Sequence, residues 1–269
     1  MKWNKKDVIK RLKELERDIG RRPVKKDNSN LYALSRKYFG SWNNMMKEAG
    51  YVIKDFQDPL IPSLKSDDLY YFLGLVCTDG HIQFIKKGGK YKLMVYTSEK
   101  EEKEIIIKLI NILFNYNAHF RARKTPLSRR PNYEIYITSK KVCEFLNRLG
   151  VPYGAKSYTL IVPNILKNVS NDKFWHFLRG IFDGDGSIII TKKVMIFRIY
   201  SGSKKFTEGL QQIMETKGIY SSNIYKHKDN VWVLVVNKRE EIKKLYNYFY
   251  RNALFFYPRK KNKWTKQYL

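Results

Sequence analysis

The sequence predicts an α+β fold in which one unit of order αββαββα occurs twice in tandem, behind a small helical domain. The first observation is a duplicated motif. Segments 72–80 and 178–186 are both apolar, helix-like runs that end in an aspartate followed by a glycine. The second observation is the matching order of helical and strand-like patterns after each motif. The two aspartates, Asp79 and Asp185, lie 106 positions apart (185 − 79 = 106), so one fold is used twice in one chain.

The N-terminal helical domain is predicted from short periodic runs. Asn4 caps the first helix and Gly20 ends it, and two further short helices follow before residue 50. Pro59 and Pro62 then interrupt the periodicity, which is typical of a linker. We expect a helical module at 1–50, a linker at 51–66, a first repeat at 67–163 and a second repeat at 164–269.

The elements of each repeat follow from the spacing of apolar residues. Ser66 is expected to cap the first motif helix, with Asp67 and Asp68 in its opening turn. In the first repeat, strands are predicted at 81–87, 91–97, 118–124 and 133–138, and further helices at 99–114 and 139–149. In the second repeat, helices are predicted at 171–183, 204–217 and 238–250, and strands at 187–193, 194–200, 219–226 and 231–236.

The strong positive charge indicates a polyanionic partner. The chain has 53 lysines and arginines against 25 acidic residues, a formal net charge of +28, which is typical of proteins that bind nucleic acid. A basic protein of a membrane surface is the alternative, but no apolar run approaches about 18 residues and neither end carries a lipidation signal. We expect an intracellular, cytoplasmic protein, with an organelle as the alternative location.

The cysteines and histidines offer no soft-ligand metal site. Cys77 and Cys143 are the only cysteines and have no paired spacing, so neither a disulfide framework nor a zinc ribbon is available. The four histidines lie in different elements: His81, His119, His176 and His227. Any catalytic metal is therefore expected to have oxygen ligands.

Small residues recur on one face of the two motif helices. Gly74 and Thr78 are four residues apart, as are Gly180 and Gly184. Each pair is stacked on one helix face, where small residues let two backbones approach closely. Packing through these faces brings the two motif aspartates side by side at the C-terminal ends of the helices. They repel each other and the negative end of the helix dipole there, so we expect a cation between them.

Mg²⁺ is the cation that fits this prediction, because it takes oxygen ligands and coordinates phosphate. When bound, it polarises a phosphodiester, lowers the pKa of a bound water and stabilises the leaving oxygen. A calcium-binding EF-hand is excluded. Counting from Asp183 places Ile188 where that loop needs glycine and Val194 where it needs glutamate.

The strand at 118–124 alternates in a way that predicts one solvent-exposed and one buried face. The exposed face carries His119, Arg121 and Arg123, and the buried face carries Ala118, Phe120 and Ala122. A twisted sheet with such a cationic face fits along a DNA groove. A merely solvated sheet face is the alternative interpretation.

The two motifs, their spacing and the order αββαββα resemble the single-chain LAGLIDADG homing endonucleases over about residues 66–265. The resemblance implies a saddle-shaped double-stranded DNA endonuclease that uses Mg²⁺, with other divalent cations such as Mn²⁺ as substitutes. It implies a long asymmetric target site and short 3′ overhangs. It also implies that Asp79 and Asp185 bind the metal, with the backbone carbonyls of Thr78 and Gly184 beside them.

The resemblance extends catalytic roles to two lysines. Lys156, within 154–157, and Lys260, within 258–261, match family segments whose lysines act beside the metal, and Lys261 is the alternative to Lys260. Two positions depart from the family pattern. Cys77 stands where the motif often has an acid, which Asp183 keeps, and Arg179 replaces a small residue. The first departure is expected to make the two halves of the site unequal.

The same resemblance implies which side chains contact DNA. On the strands that follow the two acids, these are His81, Gln83, Ile85, Lys87, Ser187, Ile189, Thr191 and Lys193. The cationic strand residues His119, Arg121 and Arg123, together with Arg198, complete the set of expected DNA-binding residues.

Residues 1–50 resemble the homing-endonuclease-associated repeat through Trp3 and the segments 20–23 and 38–44. This implies an accessory DNA-binding module, and a simple helical cap is the competing interpretation. The pattern of an intein is absent, so we expect a free-standing or intron-encoded enzyme that is a monomer. The alternative function is a non-cleaving nucleic-acid binder on the same fold, either an intron RNA maturase or a transcription regulator.

Overall fold

The computed structural model describes residues 3–52, 58–86, 88–124, 131–220 and 222–265. The chain divides into two compact units, Met1–Phe56 and Gln57–Leu269. The boundary between them falls within the segment 51–66 that the sequence predicts as a linker. No helix in the described ranges is long and apolar enough to cross a bilayer.

The first unit contains three helices, α1 (Lys5–Ile19), α2 (Ser29–Phe39) and α3 (Trp42–Glu48). The side chain of Asn4 accepts a hydrogen bond from the backbone of Asp7, and Asp7 returns one, which forms a capping box. Gly20 ends α1 in the left-handed region (φ 64°), a conformation that glycine adopts without steric cost. A separate apolar core forms from Val8, Leu12, Leu31, Phe39, Trp42, Met45 and Met46.

The second unit contains the αββαββα order twice, as predicted, which confirms the α+β fold class. The first repeat consists of α4 (Asp67–Thr78), β1 (Gly80–Ile85), β2 (Lys90–Thr97), α5 (Lys100–Phe114), β3 (His119–Arg123), β4 (Asn132–Thr138) and α6 (Lys140–Arg148). The second repeat consists of α7 (Asn171–Asp185), β5 (Gly186–Ile190), β6 (Met195–Ser201), α8 (Lys204–Thr216), β7 (Ser222–Lys226), β8 (Trp232–Val236) and α9 (Arg239–Tyr250). A further helix, α10 (Pro258–Thr265), was not predicted.

Each repeat has one four-stranded antiparallel sheet with the same topology. The strand orders are β1-β2-β4-β3 and β5-β6-β8-β7. The registers also correspond, because Gly80 pairs with Val95 and Gly186 pairs with Ile199. Since each glycine directly follows a motif aspartate, both first strands leave the motif helices in the same way.

The motif helices α4 and α7 form the centre of this unit. Every residue of α4 from 69 to 77 is buried, and so is every residue of α7 from 174 to 183. A helix that is buried on all sides is enclosed by other elements. The two helices therefore hold one continuous core to which both repeats contribute.

Two expectations about the ends of elements were wrong. Ser66 is the N-cap residue of α4, but its side chain makes no capping hydrogen bond. Strand β5 ends at Ile190, so Thr191 and Lys193 lie in the turn before β6 rather than on a strand. In that turn, Thr191 Oγ1 accepts a hydrogen bond from the backbone N–H of Val194 at 2.9 Å. This N–H therefore has its partner within the turn instead of in a strand pair.

The buried face predicted for the strand at 118–124 forms only at Ala118, which is partly buried against the core, and the prediction was wrong for Phe120 and Ala122. All five residues of β3 are exposed, and Phe120 is 51% exposed. Strand β3 lies at the edge of its sheet, where alternation in sequence does not ensure burial. The Phe120 ring instead faces the ammonium group of Lys103, which lies 4.1 Å from the ring centroid.

Candidate functional site

The two motif helices touch through backbone at their glycines. A Cβ atom on Gly180 would overlap the carbonyl oxygen of Tyr71 and stand 2.9 Å from the backbone nitrogen of Leu75. A Cβ atom on Gly74 would stand 2.9 Å from the Cα atom of Gly180. Both distances are too short for a real Cβ, and the atoms met are backbone that cannot rotate away. Glycine at these two positions is what allows the helices to approach.

This approach places the two motif aspartates at one end of the helix pair. Asp79 is the C-terminal cap of α4 and Asp185 is the last residue of α7. A Cβ atom on Gly184 would overlap Thr78 Oγ1 and lie 3.0 Å from Asp79 Oδ2. The carboxylate of the first repeat therefore lies against the end of the helix of the second repeat, next to Asp185.

The surroundings disfavour negative charge on both acids. Burial, followed by repulsion from Asp185 and then Glu102, raises the pKa of Asp79 to about 7. The pKa of Asp185 is also raised, by loss of surrounding water, although its side chain reaches solvent. Lys156 and Lys260 counter the shift at both acids. Two adjacent carboxylates that are costly to ionise form a site that a cation would stabilise.

Two lysines reach carbonyl oxygens beside these acids. Lys156 Nζ donates to the carbonyl of Thr78 at 2.9 Å and to that of Gly80 at 2.6 Å. Lys260 Nζ donates to the carbonyl of Gly186. Since Gly80 and Gly186 each follow a motif aspartate, the two lysines occupy corresponding places in the two repeats.

The structure distinguishes Lys260 from its neighbour Lys261. Lys260 is 6% exposed, and burial, followed by repulsion from Arg259, lowers its pKa to about 8. Lys261 Nζ lies elsewhere, 4.4 Å from the ring centroid of Phe256 and 5.4 Å from that of Tyr250. Of the two candidates, Lys260 alone has its amino group at the acids.

The segment that carries Lys156 is held by the opposite repeat. Ser203 Oγ, at the start of α8, donates to the carbonyl of Leu160 at 2.6 Å. A Cβ atom on Gly202 would stand 2.7 Å from the carbonyl oxygen of Ser157. The backbone around Lys156 therefore packs directly on the second repeat, while its amino group reaches carbonyls of the first.

Helix α10, which carries Lys260, is held by the first repeat through an ion pair. Arg259 Nε lies 2.5 Å from Glu102 Oε1, and Glu102 Oε2 accepts a hydrogen bond from Thr97 Oγ1 at 2.6 Å. Glu102 is 2% exposed. Sequence reasoning missed both partners, because Glu102 lies among the similar acids Glu101 and Glu104, and nothing in the local pattern shows which one is buried.

Asp183 and Cys77 lie inside the core and not with the two motif acids. Asp183 Oδ2 accepts hydrogen bonds from Tyr71 Oη at 2.8 Å and from the backbone of Tyr257 at 2.9 Å. Burial raises the pKa of this carboxyl to about 7. Cys77 is also buried, and burial raises the pKa of its thiol to about 12. The structure thus assigns both positions to the packing around the helix pair.

Arg179, which stands where the family pattern has a small residue, is fully buried and supports the end of α9. Its Nη1 donates to the carbonyl of Phe249 at 2.6 Å and its Nε donates to that of Phe255 at 3.1 Å. Its Nη2 lies 2.8 Å from His176 Nδ1. Because a guanidinium only donates, Nδ1 must accept, and His176 is neutral with its proton on Nε2.

We predict a pH-dependent contribution of His176 to stability. Burial, and then the charge of Arg179, lowers the pKa of His176 from 6.5 to about 4. Between these values the unfolded chain binds more protons than the folded one, so stability falls as the pH decreases from 6.5 to 4. His176→Asn keeps an acceptor but does not titrate. Relative to it, the wild type should lose roughly 3 kcal/mol between pH 7 and pH 4. Denaturant unfolding across this range measures the difference.

The control for this prediction is His227→Asn, which replaces an exposed histidine. This variant should keep the wild-type slope of stability against pH. Equal slopes in His176→Asn and the wild type would contradict the assigned neutral form of His176.

Residues that oppose each other in antiparallel strands share one face of the sheet. In the first sheet His81, Met94, Tyr136 and His119 form one such row, and Arg121 lies in the next row with Glu134 and Tyr96. The outer face of the first sheet, meaning the face away from the core, therefore carries these predicted DNA-binding residues: His81, Gln83, Ile85, His119, Arg121 and Arg123. In the second sheet, the outer face carries Ser187, Ile189 and Arg198.

The remaining predicted contacts are not brought onto these faces. Thr191 and Lys193 lie in the turn after β5, and Lys87 lies outside the described residues. Lys92 and Tyr136, which were not predicted, lie on the outer face of the first sheet. Their position follows from strand register, which the sequence pattern of β2 and β4 alone does not define.

The oxygen atoms around Asp79 and Asp185 fit a hard divalent cation. The described part of the chain has no cluster of three or more His, Cys, Asp or Glu side chains that could hold a metal. A cation here would therefore rest on the two carboxylates, nearby carbonyls and groups that the protein does not supply, which is the pattern typical of Mg²⁺ with phosphate substrates. The Thr78 carbonyl, a predicted ligand, already accepts a hydrogen bond from Lys156, which leaves one lone pair on that oxygen.

Sequence models of three families match the chain. Residues 175–249 match the family described as "LAGLIDADG-like domain", and residues 70–161 match "WhiA LAGLIDADG-like domain". Residues 3–52 match "Homing endonuclease associated repeat". The matched ranges correspond to the second repeat, the first repeat and the N-terminal helices.

Solved structures of homing endonucleases share the fold over about 70% of this chain. I-DmoI in complex with DNA and Mn is 18% identical, and the match covers 70% of this chain and 98% of that one with a TM-score of 0.51. I-WcaI bound to its DNA recognition sequence is 16% identical, with coverage of 73% and 85% and a TM-score of 0.53. At these identities the similarity shows the shared fold.

Curated relatives are similar over a small part of their length. The ATP-dependent DNA helicase Hel308 of Methanocaldococcus jannaschii is 36% identical over 107 residues, which is 39% of this chain and 8% of the helicase. The tRNA-splicing ligase RtcB of Pyrococcus abyssi is 25% identical over 181 residues, which is 65% of this chain and 19% of the ligase. The chain spans about a fifth or less of these relatives, and their named activities differ from each other.

Proposed function

This chain carries two LAGLIDADG-like domains behind a homing endonuclease associated repeat, and from this premise we propose that it is a site-specific endonuclease for double-stranded DNA. It hydrolyses one phosphodiester in each strand of a long asymmetric site, depends on Mg²⁺ or a similar divalent cation, acts as a monomer and leaves short 3′ overhangs.

The observation that carries this proposal is the placement of Asp79 against the end of α7, beside Asp185. Two buried glycines are needed to bring the helices into backbone contact. A protein that only binds DNA gains nothing from two adjacent carboxylates near a phosphate backbone, because they repel it. Metal-dependent phosphodiester hydrolysis, by contrast, makes use of such a pair to hold a cation.

Asp79 and Asp185, with the carbonyls of Thr78 and Gly184, would hold the cation, which supplies positive charge to the phosphate and lowers the pKa of a bound water. Lys156 and Lys260 keep ammonium groups beside the acids, and this charge offsets the negative charge that develops on the phosphate. Because the pKa of Lys260 is about 8, its Nζ is protonated at neutral pH.

Affinity for DNA is proposed to come from the charge of the whole chain and the outer faces of both sheets. A net charge of +28 attracts the phosphate backbone, and the sheet side chains reach the bases. In their solved complexes, I-DmoI holds DNA and Mn, and I-WcaI holds its recognition sequence. The N-terminal helices are proposed as a further DNA-binding module of the same protein.

Cleavage of an uninterrupted host gene tests the function directly. The purified protein is incubated, with and without Mg²⁺, with a plasmid that carries its host gene with the intron removed, and the new DNA ends are sequenced. We expect paired ends at one or a few long sites, with short 3′ overhangs, only when Mg²⁺ is present. Ends at random positions, or no new ends with either Mg²⁺ or Mn²⁺, would rule the endonuclease out.

A non-cleaving nucleic-acid binder is the second candidate. Two observations favour it: the first repeat matches a family model of different description from the second, and Cys77 stands where the second repeat has Asp183. Such a binder would bind one DNA site or an intron RNA and would not cut it, whichever divalent cation is present. Filter binding of both nucleic acids, alongside the cleavage assay, separates the two candidates.

We predict that the two lysines serve different strands. Each amino group is bonded to the carbonyl next to the acid of its own repeat. Lys156→Met and Lys260→Met should therefore each slow the cut of one strand by about a hundredfold more than the other, and a nicked intermediate should accumulate. Substrates labelled separately on each strand measure the two rates.

The matched control is Lys261→Met, which removes the same charge from the neighbouring position and should change neither rate by more than about twofold. If both lysine variants slow both strands equally, the assignment of one lysine to each strand is wrong.

A further inference from the structure

A carboxylate lies buried in the middle of the cationic outer face of the first sheet. Glu134, on β4, is 2% exposed. It is opposite Arg121 on β3 and Tyr96 on β2, so it belongs to the outer face and not to the core face. An acid at this place weakens attraction to DNA phosphate, because it cancels positive charge where the polyanion would lie.

Three cations converge on this carboxylate. Lys92 Nζ lies 2.5 Å from Glu134 Oε1, and Arg121 Nη2 lies 2.7 Å from Oε1 and 2.8 Å from Oε2. Arg123 Nη2 lies 3.6 Å from Oε2. Burial alone would raise the pKa of Glu134, but hydrogen bonds from Lys92 and Arg121 outweigh it and lower the pKa. The group is thus an anion that holds its neighbours in place.

The arginines remain accessible although they are held. The side chain of Arg121 is 46% exposed and that of Arg123 is 60% exposed. Arg121 uses only Nη2 for Glu134, which leaves N–H groups without an acceptor among the described residues. Tyr136 supports this arrangement from the same face, with Lys92 Nζ 3.9 Å and the Arg121 guanidinium 5.9 Å from its ring centroid. A guanidinium fixed in this way loses less freedom when it binds a base.

The second sheet lacks this charged cluster at the corresponding positions. Tyr96 and Tyr200 are separated by 104 positions (200 − 96 = 104), and Val233 is opposite Tyr200 as Glu134 is opposite Tyr96. Val233 is fully buried, and its neighbour on the edge strand is Tyr225 instead of an arginine. The charged cluster is therefore a property of one repeat and not a requirement of the shared fold.

We propose that Glu134 is a positioning residue for base recognition, which orients Arg121 to read guanine in the half-site that faces the first sheet. This inference rests on the proposed function. Arginine recognises guanine through its O6 and N7 acceptors in the major groove, and that contact requires a defined orientation of the guanidinium. The acid lowers the general affinity of this face for DNA, but it increases the discrimination between bases.

The test compares DNA selected from a randomised library by the wild type and by Glu134→Gln, in buffer without divalent cation so that no strand is cut. We expect the wild type to enrich an asymmetric site with guanine at one or two positions of one half. Glu134→Gln should lose about tenfold in preference at those positions only. Its affinity for unrelated DNA should rise, since the face loses a negative charge.

Two further variants keep the test decisive. Arg121→Lys keeps the positive charge but loses the planar guanidinium, and it should lose preference at the same positions even if Glu134→Gln proves unstable in thermal unfolding. Glu101→Gln removes the same charge from an exposed position of α5 and should leave the selected site unchanged.

The outcomes separate this inference from the function on which it rests. If the wild type enriches a site and folded Glu134→Gln enriches it with the same preferences, Glu134 does not position a base contact. If Arg121→Lys keeps those preferences, Arg121 does not read guanine and the inference is wrong as well. If the wild type enriches no sequence, both the inference and the site-specific function are wrong.

Discussion

Asp79→Asn and Asp185→Asn will each reduce DNA cleavage by on the order of 10³-fold, equivalent to about 4 kcal/mol of activation free energy. Each change removes one of the two adjacent negative charges that would hold the divalent cation, while asparagine keeps the shape of the side chain. Affinity for the target site should remain or increase, because repulsion of the phosphate backbone decreases. Cleavage rates at saturating Mg²⁺ and binding constants without it measure the two effects.

The matched control is Asp172→Asn. Asp172 is an exposed acid in the first turn of α7, at the opposite end of the helix from Asp185. This variant should cleave at the wild-type rate. A cleavage rate within about tenfold of wild type in either motif variant would show that the paired carboxylates are not the catalytic site.

Gly180→Ala is expected to have the largest effect on stability. Alanine normally favours a helix over glycine by about 1 kcal/mol. Here, however, the added methyl would overlap the Tyr71 carbonyl and press on the backbone of Leu75 and Gly74, and none of these atoms can rotate away. The helices must separate, so we expect the free energy of unfolding to fall by about 3 kcal/mol and Tm by about 10 °C. Thermal and denaturant unfolding measure this loss.

Gly209→Ala provides the comparison within the same fold. Gly209 is also helical, but its added methyl would meet only the side chain of Val162, at 2.9 Å. The neighbour can shift there, so stability should change by less than about 1 kcal/mol. Equal losses in the two variants would contradict the backbone contact between α4 and α7.

The order of elements and the central helix pair could be predicted because the duplicated sequence constrains them twice. Two apolar motifs with small residues four apart and an acid at the end leave few ways to pack. Helix α10 could not be predicted, because its sequence is almost entirely polar and only Trp264 shows that it is buried. The choice between Lys260 and Lys261 also required coordinates, since adjacent residues on a helix point in directions about 100° apart.

Several contacts that the sequence did not predict join residues distant in the chain. Glu102 and Arg259 are 157 positions apart, and neither position looks unusual among its charged neighbours. Glu134 likewise lies in a strand of alternating pattern, where an acid is expected to be solvent-exposed. The strand register instead places three cations around it. Periodicity shows which face a residue occupies, but the partners on that face come from other strands.

The segment that carries each of the two lysines packs on the opposite repeat, and this affects hybrid enzymes built from this chain. The backbone beside Lys156 rests on Ser203 of the second repeat, and the helix bearing Lys260 rests on Glu102 of the first. A chimaera that exchanges one half for that of a relative would break both junctions at once. Such a hybrid should bind a combined target yet cut it poorly until the complementary residues at both junctions are transplanted together.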